Sequence, residues 1–246
     1  MKFTNETKLE LGKYKITCND GMMYRLTVDM DMYPTDPRED EGNLGTMLCF
    51  SDYRCYGDCN SNADAEEQVV ALCRKYGKSD EEIEEMTFYE AMNSIGITFY
   101  KAMNFIAEHD DILVLPLYIL DHSGLSMATY RQDDWDSSYT GFIYVEKDFF
   151  LTACPIKDTE RWKEYAKNTL LAEIETYSAY LEGLVYAWNI VDYVKVTRED
   201  LKGVKISVTY EPFVGSPECV YGDLYDLPTI WDIKDEIGEF ASIEEL

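Results

Sequence analysis

Leu11-Gly12-Lys13-Tyr14-Lys15-Ile16-Thr17-Cys18-Asn19-Asp20-Gly21-Met22-Met23-Tyr24-Arg25-Leu26-Thr27-Val28 is the stretch on which the fold class turns. Leu11, Tyr14 and Ile16, then Met23, Tyr24, Leu26 and Val28, place strand formers on either side of Asn19-Asp20-Gly21. That turn signal predicts a β-hairpin over residues 9–30, and a hairpin pairs its strands antiparallel. Outward from it, residues 46–51, 112–120, 125–129, 141–145, 184–191 and 204–210 read as further strands. Helical periodicity covers 63–76, closed by Gly77. Ser79-Asp80-Glu81-Glu82 is a capping-box pattern. It predicts a long helix to about residue 108, with Ile83, Met86, Phe99, Met103 and Ile106 on its apolar face. Residues 158–182 read as a second long helix, using Trp162, Tyr165, Leu170, Ile174, Tyr177 and Leu181, and ended by Gly183.

The connections follow from composition. Residues 34–42 hold two prolines and a cluster of acids, which predicts an exposed excursion. Residues 131–139 read as a polar loop with Trp135 covering the core and Gly141 opening the next strand. Residues 219–223 read as a turn, and 230–246 as a short acidic helix. Helices and strands are interspersed and hairpin-like pairs dominate. The prediction is a single α+β domain over 1–246, with a mostly antiparallel sheet and two long amphipathic helices. Residues 1–45 form an N-terminal sub-region and 230–246 an acidic C-terminal segment.

The chain carries 48 acidic and 22 basic side chains over 246 residues, a formal net charge of -26. It is 46% hydrophobic with 20 tyrosines, so this charge sits on a body with a core and not on a disordered tail. Such a body repels nucleic acid and anionic membrane surfaces and attracts cationic grooves. Residues 79–111 hold nine acids and one lysine, and residues 200–246 hold eleven acids and three lysines, a net of -8 each. Residues 29–41 add six acids against Arg38. Carboxylates spread over a rigid surface in this way could stand in for the phosphates of a duplex. The candidate partner-binding residues are Glu81, Glu82, Glu84, Glu85, Asp133, Asp134, Asp223 and Asp226. The plainer reading of the same run is a solvated helix face.

No apolar run approaches the roughly 18 residues of a membrane span, and the polar residues directly after Met1 predict no signal peptide, hence a cytosolic protein. Free thiols are then the expectation for the seven cysteines. Cys49, Cys55, Cys59 and Cys73 lack the spacing of a metal site, and none is assigned. Nor is any cofactor, since the chain has no Gly-rich phosphate loop, His-Glu-x-x-His helix or Gly-x-Ser-x-Gly elbow. The competing reading is an enzyme or a binder of a small nucleotide signal. It is built on His122, presented after a buried strand, with Asp136 in the following loop orienting the imidazole. A histidine that only hydrogen-bonds a turn explains the same residues more simply, so the non-enzymatic reading leads.

Several motifs occur in one order. They are Tyr53-Arg54-Cys55-Tyr56-Gly57-Asp58, Pro116-Leu117-Tyr118-Ile119-Leu120-Asp121-His122-Ser123-Gly124, Trp135-Asp136-Ser137-Ser138, Gly141-Phe142-Ile143-Tyr144-Val145, Leu181-Glu182-Gly183 with Val185-Tyr186, and Cys219 to Asp223. Over about residues 46–223 the chain resembles an uncharacterised family carried by phages, prophages and plasmids of Gram-positive and gut bacteria. Ser138 stands where that pattern more often has glycine, and its last motif is shorter here. The resemblance implies a mobile-element setting and no activity. With the charge, it leads to one expectation: an acidic inhibitor acting in the host cytosol as a DNA or RNA mimic. Its partner would be a basic nucleic-acid-binding host protein, a nuclease or a defence complex of restriction or CRISPR type.

Overall fold

A computed structural model of the chain describes residues 4–51, 55–87, 94–121, 124–131, 135–199, 205–212, 219–224 and 226–246. In chain order it contains β1 (Gly12–Cys18), β2 (Met23–Met30), β3 (Thr46–Cys49), α1 (Asn62–Lys75), α2 (Asp80–Thr87), α3 (Ser94–Ala107), β4 (Ile112–Asp121), β5 (Leu125–Ala128) and β6 (Ser137–Glu146). There follow α4 (Lys147–Ala153), α5 (Trp162–Glu182), β7 (Tyr186–Glu199), β8 (Lys205–Pro212), β9 (Cys219–Leu224), α6 (Ile230–Ile237) and β10 (Phe240–Glu245). The strand pairs are antiparallel, and the fold is α+β. Two compact units are formed, one by Met1–Thr35 with Leu184–Leu246 and the other by Asp36–Gly183.

The first unit is built on the N-terminal hairpin. Gly21 takes a positive φ of 89°, and the Asp20 carboxylate accepts from the Met22 N–H at 3.0 Å. Side chains alternate along the strands, so Tyr14, Ile16, Leu26 and Val28 enter one core with Trp188, Ile230, Ile233 and Ile243. The sheet runs β10-β1-β2-β7-β8, with β9 also on β7. Two expectations are corrected here. Residues 219–224 are a strand and not a turn, because they pair with the first half of β7. The C-terminal segment is a helix followed by a strand: α6, with a capping box between Thr229 and Asp232, and then β10 on the free edge of β1.

The second unit places a four-stranded sheet, β3-β6-β4-β5, between two helical layers. Period-two alternation divides its residues. Met47, Leu117, Ile119, Ile143 and Val145 face Leu170, Ile174 and Tyr177 of α5. Leu48, Ile112 and Phe142 face Val69 and Leu72 of α1 and Phe99 and Ile106 of α3. The α5 helix is the long amphipathic helix expected, and Gly183 ends it in the left-handed conformation at φ 71°. Tyr165, assigned to its apolar side, is exposed. The other expected long helix is two segments. The α2 helix packs against α3, which one straight helix cannot do across seven residues at about 1.5 Å each. Residues 88–93 lie outside the described residues. Ser137–Tyr139 belong to β6 and not to a loop, Gly141 sits mid-strand, and Trp135 is 84% exposed instead of covering the core.

The acidic 34–42 segment is exposed at Thr35 and from Glu39 to Gly42, as expected, but it is anchored by one buried side chain. Its Arg38 side chain is only 3% exposed, and all five guanidinium N–H groups have acceptors. Nε and Nη2 bind the two Asp58 oxygens at 2.7 and 2.9 Å, and Nη2 also reaches the Gly45 carbonyl at 2.7 Å. Nη1 binds Glu173 of α5 at 2.9 Å and Asn43 at 3.2 Å. Burial works against the charge, but the bonds to Asp58 and Glu173 outweigh it and raise the guanidinium pKa. Arg38→Met should therefore destabilise the chain by about 3–5 kcal/mol in urea unfolding, because two carboxylates lose their cation. Adding Asp58→Asn and Glu173→Gln should recover part of that loss. Gly141 is needed for a different reason. Its φ is 152°, and a Cβ there would lie 2.0 Å from the Leu48 carbonyl oxygen. Gly141→Ala should lower the thermal midpoint by forcing β3 off β6.

Candidate functional site

The charge is unevenly shared between the units. The second holds 30 acidic and 12 basic side chains, a net of -18, and the first 18 and 10, a net of -8. Of the residues proposed to meet a partner, Glu81, Glu82, Glu84 and Glu85 lie on α2 in the second unit, and all four are exposed. Ile83, between them, is buried with Phe99, Met103 and Ile106, and Met86 packs against the same cluster. One apolar residue per turn thus anchors the helix and turns the glutamates outward. Asp223 and Asp226 belong to the first unit, Asp223 on β9 and Asp226 in the connection to α6.

Two of these acids have partners within the chain, and for Glu82 one of them is the Ser79 that its spacing predicted. Glu82 closes the capping box: Ser79 N–H donates to its carboxylate at 2.9 Å, and the Ser79 hydroxyl accepts from Glu82 N–H at 3.3 Å. Lys78 Nζ adds a bond at 3.1 Å. The Ser79 backbone donor, then Lys78, hold the Glu82 carboxyl below its usual range. Asp226 is ion-paired with Lys8 and also accepts from Leu227 N–H, and the Lys8 bond lowers its pKa.

His122, Asp133 and Asp134 lie outside the described residues, as do Tyr53, Arg54 and Ser123 of the motifs above. Asp136 immediately precedes β6, and its carbonyl accepts from Asp121 N–H at 3.4 Å. His109 is a packing residue. Its ring lies against Tyr76 and Phe105, with Nδ1 3.2 Å from the Ile106 carbonyl oxygen. Cys49, Cys59 and Cys73 are buried. Burial pushes the Cys59 and Cys73 thiols up to about 11, so they stay protonated at neutral pH and are poor nucleophiles.

The sequence reading missed a cleft of about 470 Å³ between α1, the end of β6 and the start of α4. Its only sequence signal is the helical spacing of Gln68, Ala71, Leu72 and Lys75. Comparison of the chain with protein-family models, with curated proteins and with solved structures finds no match.

The cap on α2 is testable. Ser79→Ala should cost α2 about 0.5–2 kcal/mol, read as faster amide exchange confined to residues 80–87. Because the folded Glu82 pKa is depressed, its bond is fully present above the unfolded pKa and is lost as the pH falls through the folded value. Protection of the first turn of α2 should fall over that acid range, and Glu82→Gln should flatten the response.

Proposed function

We propose that the chain is a non-enzymatic inhibitor that occupies the cationic groove of a nucleic-acid-binding protein as a mimic of DNA or RNA. The row of exposed carboxylates on α2, in the unit of net charge -18, carries this reading. From Glu81 to Glu85 four carboxylates fall within about 6 Å of helix axis, one per ~1.5–2 Å. A DNA duplex carries one charge per about 1.7 Å of axis. Neighbours three and four apart on this helix stand about 5–6 Å from each other, so a basic groove would meet them as a short ladder of anions.

Support also comes from rigidity. Because Ile83 and Met86 fix α2 on the core, little backbone freedom is left for a partner to freeze. Electrostatic complementarity of this kind steers association and confers specificity. The partner class is a basic nuclease or defence complex, and the setting a mobile genetic element acting inside a host cell. The mimic itself binds no nucleic acid, needs no cofactor and performs no catalysis.

Affinity capture from a host lysate on the immobilised protein, eluted with a salt gradient, tests the proposal. Basic nucleic-acid-binding proteins should be retained at low salt, leave as the salt rises, and lose their grip on duplex DNA or RNA when the chain is added. The triple change Glu81→Gln, Glu84→Gln and Glu85→Gln should weaken capture at least about tenfold while leaving the thermal midpoint nearly unchanged, since surface changes of this type shift stability little. Retention that ignores salt, or recovery of no nucleic-acid-binding protein, overturns the proposal.

A further inference from the structure

The cleft of the second unit has an apolar body and a charged end. Leu44, Leu72 and Phe149 line it, and Phe149 is 54% exposed, a large ring left facing water. Tyr144 and Thr46 close one wall. At the other end Lys75 Nζ sits 2.6 and 2.5 Å from the two Glu146 oxygens. The Lys75 side chain is 57% exposed and comes from α1, whereas Glu146 ends β6 and is 28% exposed. The carboxylate is the fixed half of this pair and the ammonium the movable half.

A second acid, Asp111, precedes Ile112, the β4 residue paired with Glu146. Burial, then Glu146, then Asp111 push the Tyr76 phenol up to about 12. Lys147 N–H donates to the Asp111 carbonyl at 2.8 Å, which ties Asp111 to the end of β6. A carboxylate is therefore the fixed charge at this end, in a chain whose overall field favours cations.

The geometry points to a binding site for an organic ammonium ion with an apolar, preferably aromatic, body. The ammonium takes the place of Lys75 on Glu146. The body lies along Leu44 and Leu72, and Phe149 covers it. Lys75 swings out to water, which its long exposed stem allows. An anionic ligand would instead need Lys75 free of Glu146 and would face the Glu146 charge. The site lies on α1, β6 and α4 and uses none of the α2 glutamates, so it stands or falls apart from the inhibitor reading.

Phenethylammonium is the probe, with phenylacetate and benzyl alcohol as the anionic and neutral controls, read by ligand-observed and backbone amide NMR on the full chain. Phenethylammonium should saturate and shift the amides of residues 71–75 and 144–149, while phenylacetate should not. Glu146→Gln should weaken the ammonium at least about tenfold, as expected for loss of a charge-assisted bond. Lys75→Gln should strengthen it, because the internal competitor is gone. Phe149→Ala should weaken it without altering the unfolding midpoint. An anion that binds as well as the ammonium, or a Lys75→Gln change that weakens the ammonium, overturns the proposal. So does saturation that ignores Glu146→Gln, or the absence of any shift at these amides.

Discussion

The second unit depends on one buried cation. Arg38 joins four pieces of chain, the last of them 135 positions away. They are the turn at Pro37–Glu39, the entry to β3 at Gly45, the Asp58 turn and Glu173 on α5. The carboxylates it binds are themselves used twice. Asp58 also accepts from Met47 N–H at 2.7 Å, and Glu173 from Leu44 N–H at 2.8 Å. The guanidinium therefore fixes where β3 starts as well as how α5 is docked. The close packing around it leaves no room for adjustment: a Cβ on Gly45 would lie 2.4 Å from Leu170, and one on Gly57 2.6 Å from the Met47 carbonyl oxygen. A buried ion pair often contributes little net stability compared with apolar packing, but it specifies one arrangement of its donors and acceptors. Here that arrangement is the register of the first strand of the sheet.

What the sequence made legible is what is decided locally. The hairpin turn at Asn19-Asp20-Gly21, the Ser79–Glu82 box and the glycine that ends α5 are settled by residues within a few positions of each other. What it hid is decided by distant partners. Arg38 and Glu173 are 135 positions apart, and a segment of prolines and acids looks solvated until that pairing is known. Gly222-Asp223 carries the composition of a turn, yet the open edge of β7 draws the segment into a strand. Glu244 and Glu245 suggest a solvated helix, yet they pair with Lys15 and Tyr14 across β1 and β10. The α4 helix follows β6 without a break and has no side-chain cap, so no start signal marked it.

The structure also sorts the acids that composition can only count. Asp58 and Glu173 are spent on Arg38, Asp226 on Lys8 and Glu239 on Lys234. These pairs hold segments together, and their charge is already met from within. The carboxylates of α2 differ in being carried by a helix whose opposite side is core. The candidate residues were therefore legible as a group, but the distinction between a structural acid and a presented one was not. Glu82 shows how close the two can be, since it lies in the same row and also begins the helix.

That double role bears on how a charged surface can be kept rigid. Like charges one turn apart repel, and a helix bearing Glu81, Glu82, Glu84 and Glu85 should fray on that account. Three features of α2 oppose it. Glu81 and Glu82 sit in its first turn, where they complement the helix dipole. One of them is drawn back to Ser79 and Lys78. Ile83 is held in the core from the opposite side. A tail of equal charge would have none of these constraints and would lose conformational freedom on meeting a groove. A helix secured in this way has settled that cost during folding, leaving the field of its carboxylates to act on a partner before contact is made.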